Sequence, residues 1–224
     1  SKSLPKNPPI LGANVFVGTL AGRIAQRSGD MDNVYVGKWS GYSASDARFN
    51  TYVGSKSGWL GNGSYNTVLG FQALRNPSGS FDVAIGYEAG YNSSSGTGKV
   101  MVGGESGRSN SSNYHISIGY QAGYSQTSGA SNTNVGYQAG YSTTTGNSNV
   151  YMGYEAGQGS TTGFQNVAIG VNALDTVANK FTNTAVGHQA GRYVVANANT
   201  FVGADAGRGD SNGAGNDAAD TVDK

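Results

Sequence analysis

Apolar residues recur along this chain at alternate positions, in short bursts, and each burst ends on glycine. DVAIGYEAG at 82–90, NVYMGYEAG at 149–157 and NTAVGHQAG at 183–191 are versions of one phrase. Aligned on the central glycine, the phrase occurs twelve times, at Gly18, Gly37, Gly54, Gly70, Gly86, Gly103, Gly119, Gly136, Gly153, Gly170, Gly187 and Gly203. The first interval is nineteen residues and the others are sixteen or seventeen. The residue before the glycine is apolar in every copy, from Val17 to Val202, and two places earlier stands Val, Ile or Thr. Period two with β-branching predicts a strand, with these two columns on its buried face. The position between them varies and is expected to face outwards.

Three residues after the glycine only Ala or Ser occurs, and the next position is Gly in ten copies and Leu in two, Leu74 and Leu174. Two glycines per seventeen residues and an apolar spacing of two exclude a helical repeat. Each unit therefore reads as a short strand, a glycine-hinged corner, a second strand of small residues and a polar loop such as NSSSGTGK (92–99). One unit alone cannot bury its apolar face, but stacked units can. The expectation is an all-β, parallel β-solenoid of about twelve coils. At about 4.8 Å per strand it would be a rod roughly 55–60 Å long. Residues 14–207 form the repeat domain. Residues 1–13, with three of the four prolines, read as an N-terminal linker, and 208–224 as a polar C-terminal linker.

Asn stands four residues before the glycine in nine copies, with Asp82, Lys99 and His115 as the exceptions. Asn tolerates turn geometry and its amide can bond its neighbours along a stack, so this column is read as structural.

Composition narrows the function. The chain has 224 residues, 37 of them Gly, 12% charged, and a net charge of +1. That balance argues against a nucleic-acid footprint and a polybasic membrane patch. There is no cysteine, hence no disulfide or thiolate site, and no apolar run long enough to span a bilayer. No cofactor motif is found, and neither histidine belongs to a cluster with metal-ligand spacing.

With its VAIG and NxxVG-xxAG phrases, the region 14–207 resembles the head repeats of trimeric autotransporter adhesins and the repeat shafts of bacteriophage tail fibres. The resemblance implies three parallel β-rolls joined as an elongated homotrimer that meets a host surface. It also implies an extracellular place, on a virion tail fibre or a bacterial cell, and a host or cell-surface glycan or protein as receptor. The adhesin heads repeat at about fourteen residues, so no receptor-contact residue carries over.

Candidate chemistry is sparse. Glu88 and Glu105 occupy one column in adjacent coils, close enough for a retaining glycosidase pair. Their column continues as Gln121, Gln138 and Glu155, which reads as a solvated polar ladder, and a non-catalytic chain is expected. Tyr87, Tyr120, Tyr137 and Tyr154 follow the hinge glycine and form a candidate ladder for glycan binding or for packing. A second aromatic set, Tyr42, Tyr91, Tyr124 and Tyr141, follows the corner glycine. The position between the two strand columns carries Phe16, Tyr35, Tyr52, Met101, Tyr151 and Phe201. Facing outwards, these would be the subunit interface of a homotrimer. The leading expectation is a structural, adhesive fibre segment that spaces or presents a receptor-binding tip. The rivals are a subunit of a self-assembled extracellular filament and a polysaccharide-degrading tailspike.

Overall fold

The computed structural model describes residues 14–24, 32–176 and 179–209. The two expected linkers lie outside the described residues, apart from 208 and 209. Twelve three-residue strands, β1 (Val15–Val17) to β12 (Thr200–Val202), join in sequence order as one parallel sheet. Register keeps equivalent residues level: Val83 pairs with Val100, Ala84 with Met101, Ile85 with Val102. The chain is a β-solenoid, each turn of which adds one strand.

The expected second strand is not one. The small-residue segment is a stacked turn, because the second residue after each hinge glycine takes a left-handed backbone (Glu88 φ 51°, Gln121 φ 54°). The turns still bond from coil to coil, as Gly41 N–H donates to Ser57 O at 3.0 Å and Gly123 N–H to Ala139 O at 2.9 Å. The hinge glycine is required by close approach. A Cβ on Gly86 would stand 2.5 Å from the carbonyl oxygen of Gly103, at φ 135°.

The two faces of the strand are exchanged relative to expectation. The middle position points into the coil and the Val/Ile columns point out. Tyr35, Tyr52, Met101 and Tyr151 are fully buried, Phe201 is nearly so, and Phe16 packs against the same core. The six residues expected at a subunit interface are therefore the solenoid's own core, and none lies on the outward face of the sheet. Period two fixes that alternate residues share a face, not which face is inside.

What decides it is the opposite wall. A side chain on Gly22 would meet the Phe16 ring at 2.6 Å, and Gly58 and Gly157 would collide with the rings of Tyr52 and Tyr151. Where the inner residue is smaller, the wall compensates. Leu74 shares a coil with Val68, Leu174 shares one with Ala168, and both leucines are buried. Leu174 also fills the space beside Ala185, where its Cδ2 would be 2.8 Å from a Cβ on Gly191. The rings stack along the axis, Phe16 on Tyr35 at 5.2 Å and Tyr35 on Tyr52 at 4.9 Å.

The Asn column runs beside this core as a hydrogen-bonded ladder. Each side-chain oxygen accepts the backbone N–H of the next Asn: Asn33 from Asn50 at 2.9 Å, Asn149 from Asn166 at 2.9 Å. From Asn33 to Asn66 and from Asn132 to Asn166 the amide nitrogens also reach a carbonyl of their own loop, as Asn50 to Gly63 at 2.9 Å and Asn132 to Gly146 at 2.7 Å. One residue thus satisfies a strand end and anchors the loop behind it.

Candidate binding surfaces

Turning the two strand columns outwards leaves one apolar column along the whole sheet and, beside it, a column of Val and Ile interrupted by Thr51, Thr67, Thr133, Thr184 and Thr200. Val17 is 55% exposed, Leu69 49% and Val202 58%, with Ile85, Ile118, Met152 and Ile169 between them. Eleven steps of about 4.8 Å make it ~53 Å long, and two side chains of width give on the order of 500 Å². A soluble monomer's largest apolar patch is about 300–600 Å², so this face is already at that limit before its neighbours are added. Those neighbours are aromatic. Phe49, Tyr65 and Phe81, just before the Asn column, are exposed and stack at 5.0 and 4.9 Å.

The expected ladder is present as a stack. Tyr120, Tyr137 and Tyr154 lie face to face at 5.8 and 5.0 Å, and Tyr87 pairs with Phe71 at 5.9 Å. Rings stacked along the axis cover one another's faces and present their edges to solvent. A platform for sugar rings needs open faces, so the arrangement favours packing. The neighbouring carboxylates of Glu88 and Glu155 push the phenols of Tyr87 and Tyr154 above their ordinary pKa.

Glu88 and Glu105 are engaged in the polar ladder read from the sequence. Arg108 Nε donates to Glu88 Oε2 at 3.0 Å, and Gln121 Nε2 donates to Glu105 Oε2 at 2.7 Å. Gln138 continues it onto Gln121 at 2.8 Å, and Asn172 meets Glu155 at 3.1 Å.

A buried cluster of ionisable groups replaces the Asn ladder at its three exceptions. Asp82 Oδ1 accepts the Lys99 backbone N–H at 2.9 Å, and Lys99 Nζ lies 3.3 Å from Asp82 Oδ2, both side chains fully buried. Burial pushes the Asp82 carboxyl pKa up and the Lys99 ammonium pKa down, and the ion pair opposes both. Lys99 Nζ also donates to Ser93 Oγ at 2.7 Å. Lysine has no acceptor, so the ladder breaks between it and His115. His115 Nδ1 accepts the Asn132 N–H at 3.3 Å, and its Nε2 lies 2.9 Å from Ser112 Oγ. Ser112 in turn donates to Gly129 O at 2.6 Å. That chain of donors assigns a neutral ring protonated on Nε2. Desolvation lowers its pKa to about 4.

No family model matches the chain, and no curated protein or solved structure matches it. Among the described residues no group of three His, Asp or Glu stands where it could hold a metal ion, and no helix is long and apolar enough to cross a membrane.

One surface was only half visible in the sequence. The column after the corner glycine contains Tyr42, Tyr91, Tyr124 and Tyr141, but also Arg23, Trp59, Arg75 and Arg108. The cations and rings interleave: Arg75 lies 4.4 Å from the Trp59 centroid and 5.3 Å from Tyr91, and Arg108 lies 4.9 Å from Tyr91 and 5.7 Å from Tyr124. Reading that column for cations as well as aromatics would have found the ribbon.

Proposed function

We propose that this chain is a structural and adhesive fibre segment, assembled as a homotrimer through the outward Val/Ile face. Outside the cell, on a virion tail fibre or a bacterial surface, it would space or present a receptor-binding tip. The observation that carries this reading is the outward face of the sheet, apolar in one column on all twelve strands and Val, Ile or Thr in the other. A face that repeats in register along a parallel sheet suits lengthwise contact with identical copies. The stacked aromatics beside it extend the apolar strip, and the hydrogen-bonded Glu/Gln ladder is consistent with a non-catalytic role.

The test is the oligomeric state before and after charging that face. Ile85, Ile118 and Ile169 are each more than a third exposed, so their replacement by Asp leaves the interior intact. Light scattering should report three chains for the native protein and one for the triple variant, with the β circular dichroism retained. One chain before substitution, or three after it, refutes the assignment.

A second reading is an end-to-end filament. β1 pairs only with β2 and β12 only with β11, so both outer strands have an unpaired side among the described residues. Filaments that grow with concentration and persist in the triple variant would favour it.

A further inference from the structure

Both tryptophans of the chain lie at one end of the interleaved ribbon, among its unpaired cations. Lys38 Nζ is 4.5 Å from the Trp39 centroid. Lys56 Nζ is 5.2 Å from Trp39 and 5.8 Å from Trp59, and the indoles lie 6.3 Å apart at 18°. Arg75 covers Trp59 from the next coil. None of these three cations meets a carboxylate among the described residues, whereas Arg108, Arg192 and Arg208 further along each do.

The sandwich determines what Arg75 can do. Trp59 and Tyr91, at 4.4 and 5.3 Å from the guanidinium carbon, restrict the side chain, so that its donors are left to reach outward past the rings. A guanidinium so restricted is suited to bidentate contact with a carboxylate or sulfate, and part of the ordering entropy of the side chain is already spent. Lys38, Lys56 and Arg75 come from three successive coils, one, two and five residues after their hinge glycines, so the positive charges advance along the axis by about 4.8 Å per coil while stepping across the surface. That step is comparable with one sugar unit of an extended polysaccharide.

We infer that the Trp39–Trp59–Arg75 surface binds a linear acidic polysaccharide, one bearing uronate carboxylates or sulfate esters. The charged groups of the glycan meet Lys38, Lys56 and Arg75, and its hydroxyls meet the polar ring edges of Tyr42 and Tyr91. Nucleic acid fits less well. Base stacking needs an open aromatic face, and these faces are covered by cations and other rings. The net charge of +1 also gives little long-range attraction for a phosphate backbone. The inference deepens the adhesive reading and rests on it only for the source of the glycan.

Because no tryptophan lies elsewhere, intrinsic fluorescence of the full chain reports on this surface without a label. Polygalacturonate and heparin should each give a saturable change whose midpoint rises with salt, and neutral dextran should give none. Lys56→Gln with Arg75→Gln should weaken binding about tenfold or more, as loss of paired charges at a contact does. Lys38→Gln, on an exposed side chain, should weaken it less without risk to the fold. Lys180→Gln, at the far end, should leave it unchanged. No response to either acidic glycan, an equal response to poly(dT), or an unchanged midpoint in both the double variant and Lys38→Gln overturns the inference. Light scattering on the same samples separates the two readings. Trimers that ignore acidic glycans sink this inference alone, and monomers that bind them sink the trimer alone.

Discussion

The core from Tyr35 to Met101 and the core from Ala139 to Phe201 are apolar, whereas the stretch between them is built from polar groups. Each end buries aromatic or aliphatic side chains facing Ala, Gly or Leu. The middle buries His115, Ser117, Gln126 and Asn134 at the same depth, and Lys99 lies at its border in the coil of Met101. Strand pairing does not register the change, for β6, β7 and β8 keep the same parallel register as the rest. The solenoid thus separates two tasks. Backbone bonds between coils set the path of the chain, while side chains inside each coil set how strongly that coil resists opening. In the middle this resistance comes from hydrogen bonds that are incompletely matched, since Ser117 Oγ and Asn134 Oδ1 are buried without a partner. Unmatched buried polar atoms cost about 1–3 kcal/mol each, and the N-terminal core carries them too, at the Tyr35 and Tyr52 hydroxyls, so what marks the centre is the polar character of its filling.

The apolar ends should be the most sensitive to shape. Gly58→Leu drives a side chain into the Tyr52 ring and should cost about 3 kcal/mol or more, read by chemical denaturation. Adding Tyr52→Val recreates the pairing of Val68 with Leu74 and should restore most of the loss. Leu74 and Leu174 already adopt φ 41° and 48°, so a leucine at this corner is compatible with the backbone. If the second change deepens the damage, the core does not face inwards as described. In the middle, Ser117→Ala removes an unpartnered hydroxyl and should be nearly neutral. A large loss there would erase the contrast.

Next in size is the buried ion pair. Lys99→Met strands the Asp82 carboxylate and should cost about 3–5 kcal/mol. Replacing both Asp82 and Lys99 by Asn should recover that loss, because it continues the Asn ladder through the break. A double variant as unstable as Lys99→Met would show that the ladder is not interchangeable between ends and middle.

Acid should attack the middle first. The folded pKa of His115, about 4, lies below the ordinary 6.5, so the folded state holds the neutral ring. Its contribution is complete above pH 6.5 and is lost as the pH falls through 4. At most about 3 kcal/mol is at stake. Protonation costs the Asn132 N–H its acceptor and adds a charge near Lys99. His115→Asn should flatten the stability profile between pH 6.5 and 4, and an unchanged slope would assign it to other groups.

The repeat, its strand, its parallel stacking and its Asn ladder were legible because each is a column property, the strand repeated twelve times and the Asn nine. The direction of the strand was not, because Val15 and Val17 look as suitable for a core as Phe16 does. The deciding information lay in a pair of columns rather than in one. Leu74 and Leu174 appear where the middle residue is Val68 or Ala168, and glycine stands opposite Tyr35, Tyr52, Tyr151 and Phe201. Glycine also stands opposite Ala84 and Ala185, where the leucine of the preceding coil, Leu74 or Leu174, reaches the space, so the compensation runs between neighbouring coils as well as within one. The second strand was overcalled for a different reason. Small residues suit a thin wall whether it is extended or turned, and only the left-handed backbone at positions such as Glu88 distinguishes the two.

The smallest expected effect separates packing from recognition on the outer surface. Tyr137 is stacked between Tyr120 and Tyr154 but half its ring faces water, unlike Tyr151, which is buried and donates to Ser160 Oγ at 2.8 Å. Aromatic pairs are worth about 0.5–1.5 kcal/mol beyond area, less at the surface, so Tyr137→Ala should cost about 1 kcal/mol or less. The loss should depend on the neighbours. With Tyr120 and Tyr154 already replaced by Ala, removing Tyr137 should cost almost nothing, because the ring then has no partner to lose. A glycan platform behaves otherwise: each ring contributes to binding separately, and stability is indifferent to the order of removal. If the three substitutions leave thermal stability untouched yet abolish binding to a neutral glycan, the ladder is a recognition surface. If they lower stability in the coupled way described and leave glycan binding alone, it is a rib of the rod.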